Sequence, residues 1–152
     1  MGGELLATRR PGASPRFMLQ ALKDPDGANL DRAQVVKGWT DRNGVAHERV
    51  YDVGLSDGRV VDPRTGKAPA LESTVDVAQA SYRNTVGEVS FSVHWEDPDF
   101  DPEQRAFYYA RVIEIPTPRW STYDAKFFGL ELAAEVPRVT RERVYSSPIW
   151  YR

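Results

Sequence analysis

Glycine and proline recur so evenly along this chain that a long helix has no room to form. The 152 residues include 11 Gly and 11 Pro, and no apolar spacing of period 3.6 persists between them. What remains is a set of short elements bounded by turns, and their apolar residues alternate as those of strands do. Residues 89–95 give the clearest case: Val89, Phe91, Val93 and Trp95 alternate with Ser90, Ser92 and His94, which puts His94 on the polar face. Residues 107–115 are apolar on both faces apart from Arg111 and Glu114, the pattern of a central strand covered from both sides. Residues 33–40 and 46–55 flank Asp41-Arg42-Asn43-Gly44, where Asn-Gly supplies the positive φ angles of a tight hairpin turn. Residues 16–22 form a further strand that ends at Asp24-Pro25-Asp26-Gly27, while 74–82 and 141–145 carry weaker strand patterns. Residues 56–69 are rich in Asp, Gly, Pro, Arg and Lys and read as a solvated loop.

One helix is expected, over 122–128, with Ser121 as its cap, Asp124 near its positive end and Gly129 as its stop. Six or seven strands with one short helix predict an all-β chain, mainly an antiparallel β-sandwich in a single domain over 1–152. Its inner faces would hold Phe17, Trp39, Phe91, Trp95, Tyr109, Ile113 and Ile115. A barrel is the alternative closure.

Charge and cysteine content then narrow the chemistry. Twenty Lys plus Arg against 22 Asp plus Glu leave a net charge of -2, without the basic excess of a nucleic-acid binder. With no Cys there is no disulfide, no thiolate metal site and no cysteine nucleophile. No apolar run approaches the roughly 18 residues of a membrane span. The start, from Met1 to Arg10, lacks the basic and apolar regions of a signal peptide, so the chain reads as soluble and not exported.

Several motifs also have simpler structural roles. Asp97, Asp99 and Asp101 match the first ligands of a calcium loop, but the sixth and twelfth places hold Pro102 and Tyr108 instead of Gly and Glu. A capped turn, with Asp101 before Pro102 and Gln104 two residues further on, explains the segment better. His47 and His94 lie on separate strands, so Asp97, Asp99, Asp101 and His94 make only a weak metal set. No Gly-x-Ser-x-Gly elbow or phosphate loop is present. The densest polar-aromatic stretch contains Arg105, Tyr108, Tyr109, Arg111 and Glu114, then Arg119, Trp120, Tyr123 and Asp124. Arg beside Trp or Tyr can bind an anion, stack on a sugar or build an interface. The structural alternative is pairing of Arg111 with Glu114, or of Arg119 with Asp124, to satisfy half-buried charge.

Three blocks carry a family resemblance. The first is Leu30-Asp31-Arg32-Ala33-Gln34-Val35-Val36-Lys37-Gly38-Trp39 with Glu48-Arg49-Val50-Tyr51-Asp52-Val53. The second, more particular, is Trp95-Glu96-Asp97-Pro98-Asp99-Phe100-Asp101-Pro102, Ala106-Phe107-Tyr108-Tyr109-Ala110-Arg111-Val112 and Glu114-Ile115-Pro116-Thr117-Pro118-Arg119-Trp120-Ser121-Thr122-Tyr123-Asp124-Ala125. The third is Ser146-Ser147-Pro148-Ile149-Trp150-Tyr151. Together they resemble the C-terminal portion of the DUF3604 family. The resemblance implies much longer relatives similar to PHP-type metal-dependent hydrolases, whose divalent-metal ligands lie in an N-terminal catalytic region. None of those histidine ligands has a counterpart here, so no cofactor is implied for this chain.

Three functional expectations follow. The first is a non-catalytic accessory β domain or fragment that packs on a hydrolase-like N-terminal domain, in cis or in trans, with Arg119, Trp120, Tyr123 and Asp124 at the rim of its site. The second is a stand-alone anion- or sugar-binding module that uses Arg105, Tyr109, Arg111 and the same rim residues. The third is a hydrolase subunit whose site is completed by a homo-oligomer or a partner chain. None of them involves nucleic acid or a membrane.

Overall fold

The computed structural model describes residues 2–5 and 13–152, so most of the leader reading over Met1 to Arg10 lies outside the described residues. The strands are β1 (Gly3–Leu5), β2 (Arg16–Leu22), β3 (Leu30–Thr40), β4 (Ala46–Leu55), β5 (Ser90–Glu96), β6 (Ala106–Glu114), β7 (Thr117–Pro118), β8 (Val139–Thr140), β9 (Arg143–Tyr145) and β10 (Ile149–Tyr151). One helix, α1 (Trp120–Phe128), lies between β7 and β8. Six strands form one sheet in the order β1-β10-β6-β3-β4, and β9 pairs with β6 beside β10. β2 and β5 form a separate antiparallel ribbon, and β7 pairs with β8. The chain is therefore mostly strand with one short helix. Its sheets are open, and the larger one is mixed because β1 runs parallel to β10.

The ribbon covers one face of the large sheet, as the alternation along β5 requires. Leu19 and Phe91 pack with Leu30, Ala33 and Val112, while Phe17 and Trp95 lie against Val35, Tyr108 and Tyr151. Tyr108 is 1% exposed. Burying a side chain of that size contributes about 1.5–3 kcal/mol. A third cluster joins Ala28, Leu71 and Ile115. The expected inner positions Tyr109 and Ile113 are corrected. Both are only half-buried, and their neighbours Tyr108 and Val112 point into the core. A strand that is apolar on both faces gives its alternation no sign from which to tell inside from outside.

Other corrections concern turns. The β3–β4 hairpin forms, but Gly44 alone takes a positive φ, of 79°. Asp41 Oδ1 accepts the N–H groups of Asn43 and Val45 and closes the loop in place of a two-residue turn. Residues 74–82 form only the Asp76–Ser81 bridge, because Asp76 Oδ1 accepts the Gln79 N–H and turns the chain. The strand expected from residue 89 starts at Ser90, and Val89 is exposed. Within the loop 56–69, Ser56 is fully buried and Arg59 inserts its side chain into the fold. The helix starts two residues earlier than expected, with Arg119 at its cap and no side-chain capping bond. Ser121 therefore sits in the first turn, where its buried Oγ has no partner. The stop at Gly129 forms as expected, with a φ of 65°.

Candidate functional site

The acidic segment 97–101 is consumed by the sheet. Asp97, with a fully buried side chain, pairs with Lys37 Nζ at 2.6 Å. It also accepts the Tyr108 hydroxyl at 2.7 Å and the Asp99 N–H at 2.9 Å. Lys37 donates further to the Asp99 carbonyl oxygen at 2.7 Å, and Asp99 Oδ2 accepts Arg49 at 2.6 Å and the Tyr51 hydroxyl at 2.8 Å. Burial first, then the bond to Asp97, pushes the Tyr108 phenol well above its ordinary range, so it stays a donor. Tyr51 moves the same way, through burial and its bond to Asp99. Asp101 Oδ1 accepts the Glu103 N–H at the head of the turn that starts at Pro102.

These contacts also answer whether a divalent metal fits. A lysine ammonium occupies the place a cation would take at Asp97, and an arginine occupies it at Asp99. His94 is exposed on β5, opposite Met18 of β2. No group of three or more His, Cys, Asp or Glu side chains converges among the described residues. Asp97, Asp99, Asp101 and His94 therefore do not fit a metal site. His47 instead bonds Asp41 at 2.9 Å and stacks on Trp39, and that bond, with the Val45 N–H, holds the Asp41 carboxyl below its usual range.

The dense polar-aromatic stretch divides between two places. Tyr109 and Arg111 share the outer face of β6 with Phe107, and Arg105 stands at the entry to that strand. Tyr109 neighbours Phe107 and Tyr145, with centroids 6.4 and 6.2 Å away. Phe107 also meets Trp150 at 5.2 Å and lies over Gly38, where an added Cβ would come 2.3 Å from its ring. Arg105, Trp39, Phe107 and Trp150 border an open groove of about 790 Å³ at this end of the sheet. The proposed Arg111–Glu114 pairing is corrected. Three residues apart on a strand, the two side chains point to opposite faces, and Arg111 Nε instead donates to Gln34 Oε1 at 2.7 Å.

Arg119, Trp120, Tyr123 and Asp124 all belong to α1 or its cap. The helix is fastened through its hydroxyl side: Ser121 and Thr122 are buried, and Thr122 Oγ1 donates to the Arg138 carbonyl oxygen at 2.7 Å. Its aromatic side is turned out, with Trp120 67% exposed and Phe127 83% exposed, and Tyr123 and Phe128 also open to solvent. Trp120, Tyr123 and Phe127 are spaced by three and four residues, so they share one stripe. Arg119 lies over the Trp120 ring at 6.0 Å and forms no ion pair with Asp124 among the described residues, which corrects that expectation. The usual burial is inverted here, because the hydroxyl residues Ser121 and Thr122 face the protein while the aromatic side chains share the solvent with Asp124 and Lys126.

Sequence reasoning missed a second buried carboxylate. The Asp31 side chain is fully buried and meets three guanidinium groups: Arg32 Nε at 3.2 Å, Arg141 Nη1 at 2.8 Å, and Arg59, which also bonds Ser56 Oγ. Arg32 reaches on to Asp52, which also accepts from Gln34. A signal did exist in the sequence. Asp31, Arg32 and Lys37 are charges within a largely apolar central strand, and buried charges need partners. The partners, Arg59 and Arg141, come from segments distant in the chain.

No helix among the described residues is long and apolar enough to cross a membrane. In comparison with known proteins, the family model described as "Protein of unknown function (DUF3604)" matches residues 1–152, the whole chain. No curated protein and no solved structure matches it.

Proposed function

Because this chain belongs to the DUF3604 family, we propose that it acts as a non-catalytic accessory β domain that docks through α1 onto a metal-dependent, hydrolase-like region. The observation that carries the reading is the inverted burial of α1: Ser121 and Thr122 turn inward, while Trp120, Tyr123, Phe127 and Phe128 face solvent. Contiguous exposed aromatic surface of this kind marks an interaction site. Arg119 and Asp124 flank the stripe and provide a polar rim. In the same reading, the β2–β5 ribbon is the second layer of an antiparallel sandwich. The buried acidic segment contributes to stability and leaves metal chemistry to the partner region.

Two measurements test this. The chain alone, given zinc or manganese, is expected to leave phosphate and sulfate esters intact; turnover would refute the non-catalytic reading. Mixed with the separately expressed N-terminal region of a longer family member, the chain is expected to bind. The double variant Trp120→Ser, Phe127→Ser should weaken that binding at least about tenfold while its melting temperature stays unchanged, because both side chains are exposed. Equal binding by the variant would overturn the docking surface.

A second reading, a sugar-binding module, is favoured by the groove bordered by Trp39, Phe107 and Trp150, with Glu48 and Arg105 as polar groups. Saturable binding of a neutral oligosaccharide that is lost in Trp150→Ala would support it. In the third reading, a second copy covers α1, and sedimentation would then show a dimer that Phe127→Ser dissolves.

A further inference from the structure

Behind α1, the strand pair β7–β8 and the segment that leads into β9 enclose an open cavity of about 550 Å³, in which every ionisable lining group is an arginine. Arg119 lines it from the helix cap, Arg141 from the link between β8 and β9, and Arg143 from β9, with Thr140 and Ser73 as further lining residues. The pairing of Thr117 with Thr140, and the bond from the Arg119 N–H to the Arg138 carbonyl oxygen at 2.9 Å, hold these segments together.

The charge here is not balanced by the fold. Arg141 is bound to Asp31, a carboxylate already shared with Arg32 and Arg59. Arg119 and Arg143 form no ion pair among the described residues, although Arg143 also borders a neighbouring cavity containing Glu114 and Glu142. Two guanidinium groups without an ion pair, beside a third that is fixed by a buried carboxylate, leave a charge that an anion near -2 would balance. Guanidinium forks match the oxygens of a phosphate.

We propose that this cavity binds a phosphate group, as inorganic phosphate or as a phosphomonoester, with Arg119 and Arg143 as the principal charge partners and Arg141 as the anchored third. A carboxylate ligand would leave one of the two free arginines unmatched. Thr140 and Ser73 add hydroxyl donors of the kind phosphate oxygens accept. The site shares Arg119 with the rim of the α1 stripe, but it needs only the residues of this chain and so is tested without a docking partner.

Calorimetric titration of the chain with inorganic phosphate, against chloride at matched ionic strength, tests the site directly, and phenyl phosphate in a parallel arm separates the free ion from the ester. Saturable binding is expected, with affinity falling as the ligand takes up its second proton, through about pH 7 for inorganic phosphate and about pH 6 for the ester. Arg119→Gln and Arg143→Gln should each weaken binding about tenfold and the pair should abolish it, with melting temperatures unchanged because neither touches Asp31. Tighter binding of phenyl phosphate than of phosphate would assign an ester ligand, and the reverse would assign the free ion. Failure to saturate beyond the chloride control, acetate binding as tightly as phosphate, or unchanged affinity in the double variant would each overturn the proposal. The docking test uses a different partner and different residues, so failure of one does not mimic failure of the other.

Discussion

The two fully buried carboxylates among the described residues, Asp97 and Asp31, are solved in opposite ways. Asp97 has one cation, Lys37, and its remaining acceptor positions are filled by neutral donors, the Tyr108 hydroxyl and the Asp99 N–H. Asp31 has three arginines. Charge at the first site is balanced and enclosed between the sheet and the acidic loop. Charge at the second is in excess and continues outward to Arg119 and Arg143. The first arrangement fastens the segment after β5 to β3 and β6. The second fastens β3 to the 56–69 loop and the C-terminal strands, and leaves cationic surface available to a ligand.

Removing either centre should be severe. Asp31→Asn leaves three guanidinium groups without their shared anion and is expected to cost about 3–5 kcal/mol in denaturant unfolding. Lys37→Met leaves Asp97 buried without a cation and should cost about 3 kcal/mol, the low end of the same range because Tyr108 and the Asp99 N–H still donate. The comparison is sharpened by removing one donor from the richer site. Arg141→Gln should cost only about 1 kcal/mol, since Arg32 and Arg59 remain and the Arg141 side chain is 37% exposed. A loss equal to that of Lys37→Met would show that Asp31 needs all three arginines, and the idea of surplus charge would fail.

The smallest effect is one of pH. Burial, reinforced by Glu142 and Asp24 and opposed by Lys23, holds the Glu114 carboxyl above its usual 4.5. The folded state then binds that proton more tightly than the unfolded chain does. Its contribution is therefore fully present below the ordinary carboxylate range and is lost as pH rises through the raised value. Glu114→Gln removes that loss. Its melting temperature relative to the parent should be higher near about pH 7 than near about pH 4, and the opposite trend would contradict the assigned direction.

Local pattern carried much of the architecture. Phe91, Val93 and Trp95 face inward because period-two alternation allows only one apolar side, and Gly129 ends α1 because a left-handed residue was needed there. The limits appear where neighbours in space are distant in sequence. Tyr109 and Ile113 lie on a strand whose two faces look alike in sequence, and only the position of the ribbon distinguishes those faces. The 56–69 loop reads as solvated, yet Arg59 is drawn in by Asp31, 28 residues away. At the site, Arg119, Trp120, Tyr123 and Asp124 were legible as a chemical stretch, but Arg141 and Arg143 were not, since nothing in their own segment marks them.

The sequence by itself determined the all-β class, the hairpin, the helix stop and the absence of thiol chemistry, because each depends on backbone preference, alternation or composition within a few residues. Tertiary structure alone decided which face of β6 is buried, that α1 presents its aromatic side to solvent, and that Arg119 shares one cavity with Arg141 and Arg143. Those outcomes depend on long-range pairing, where the need of a buried charge for a partner selects residues that local pattern does not connect.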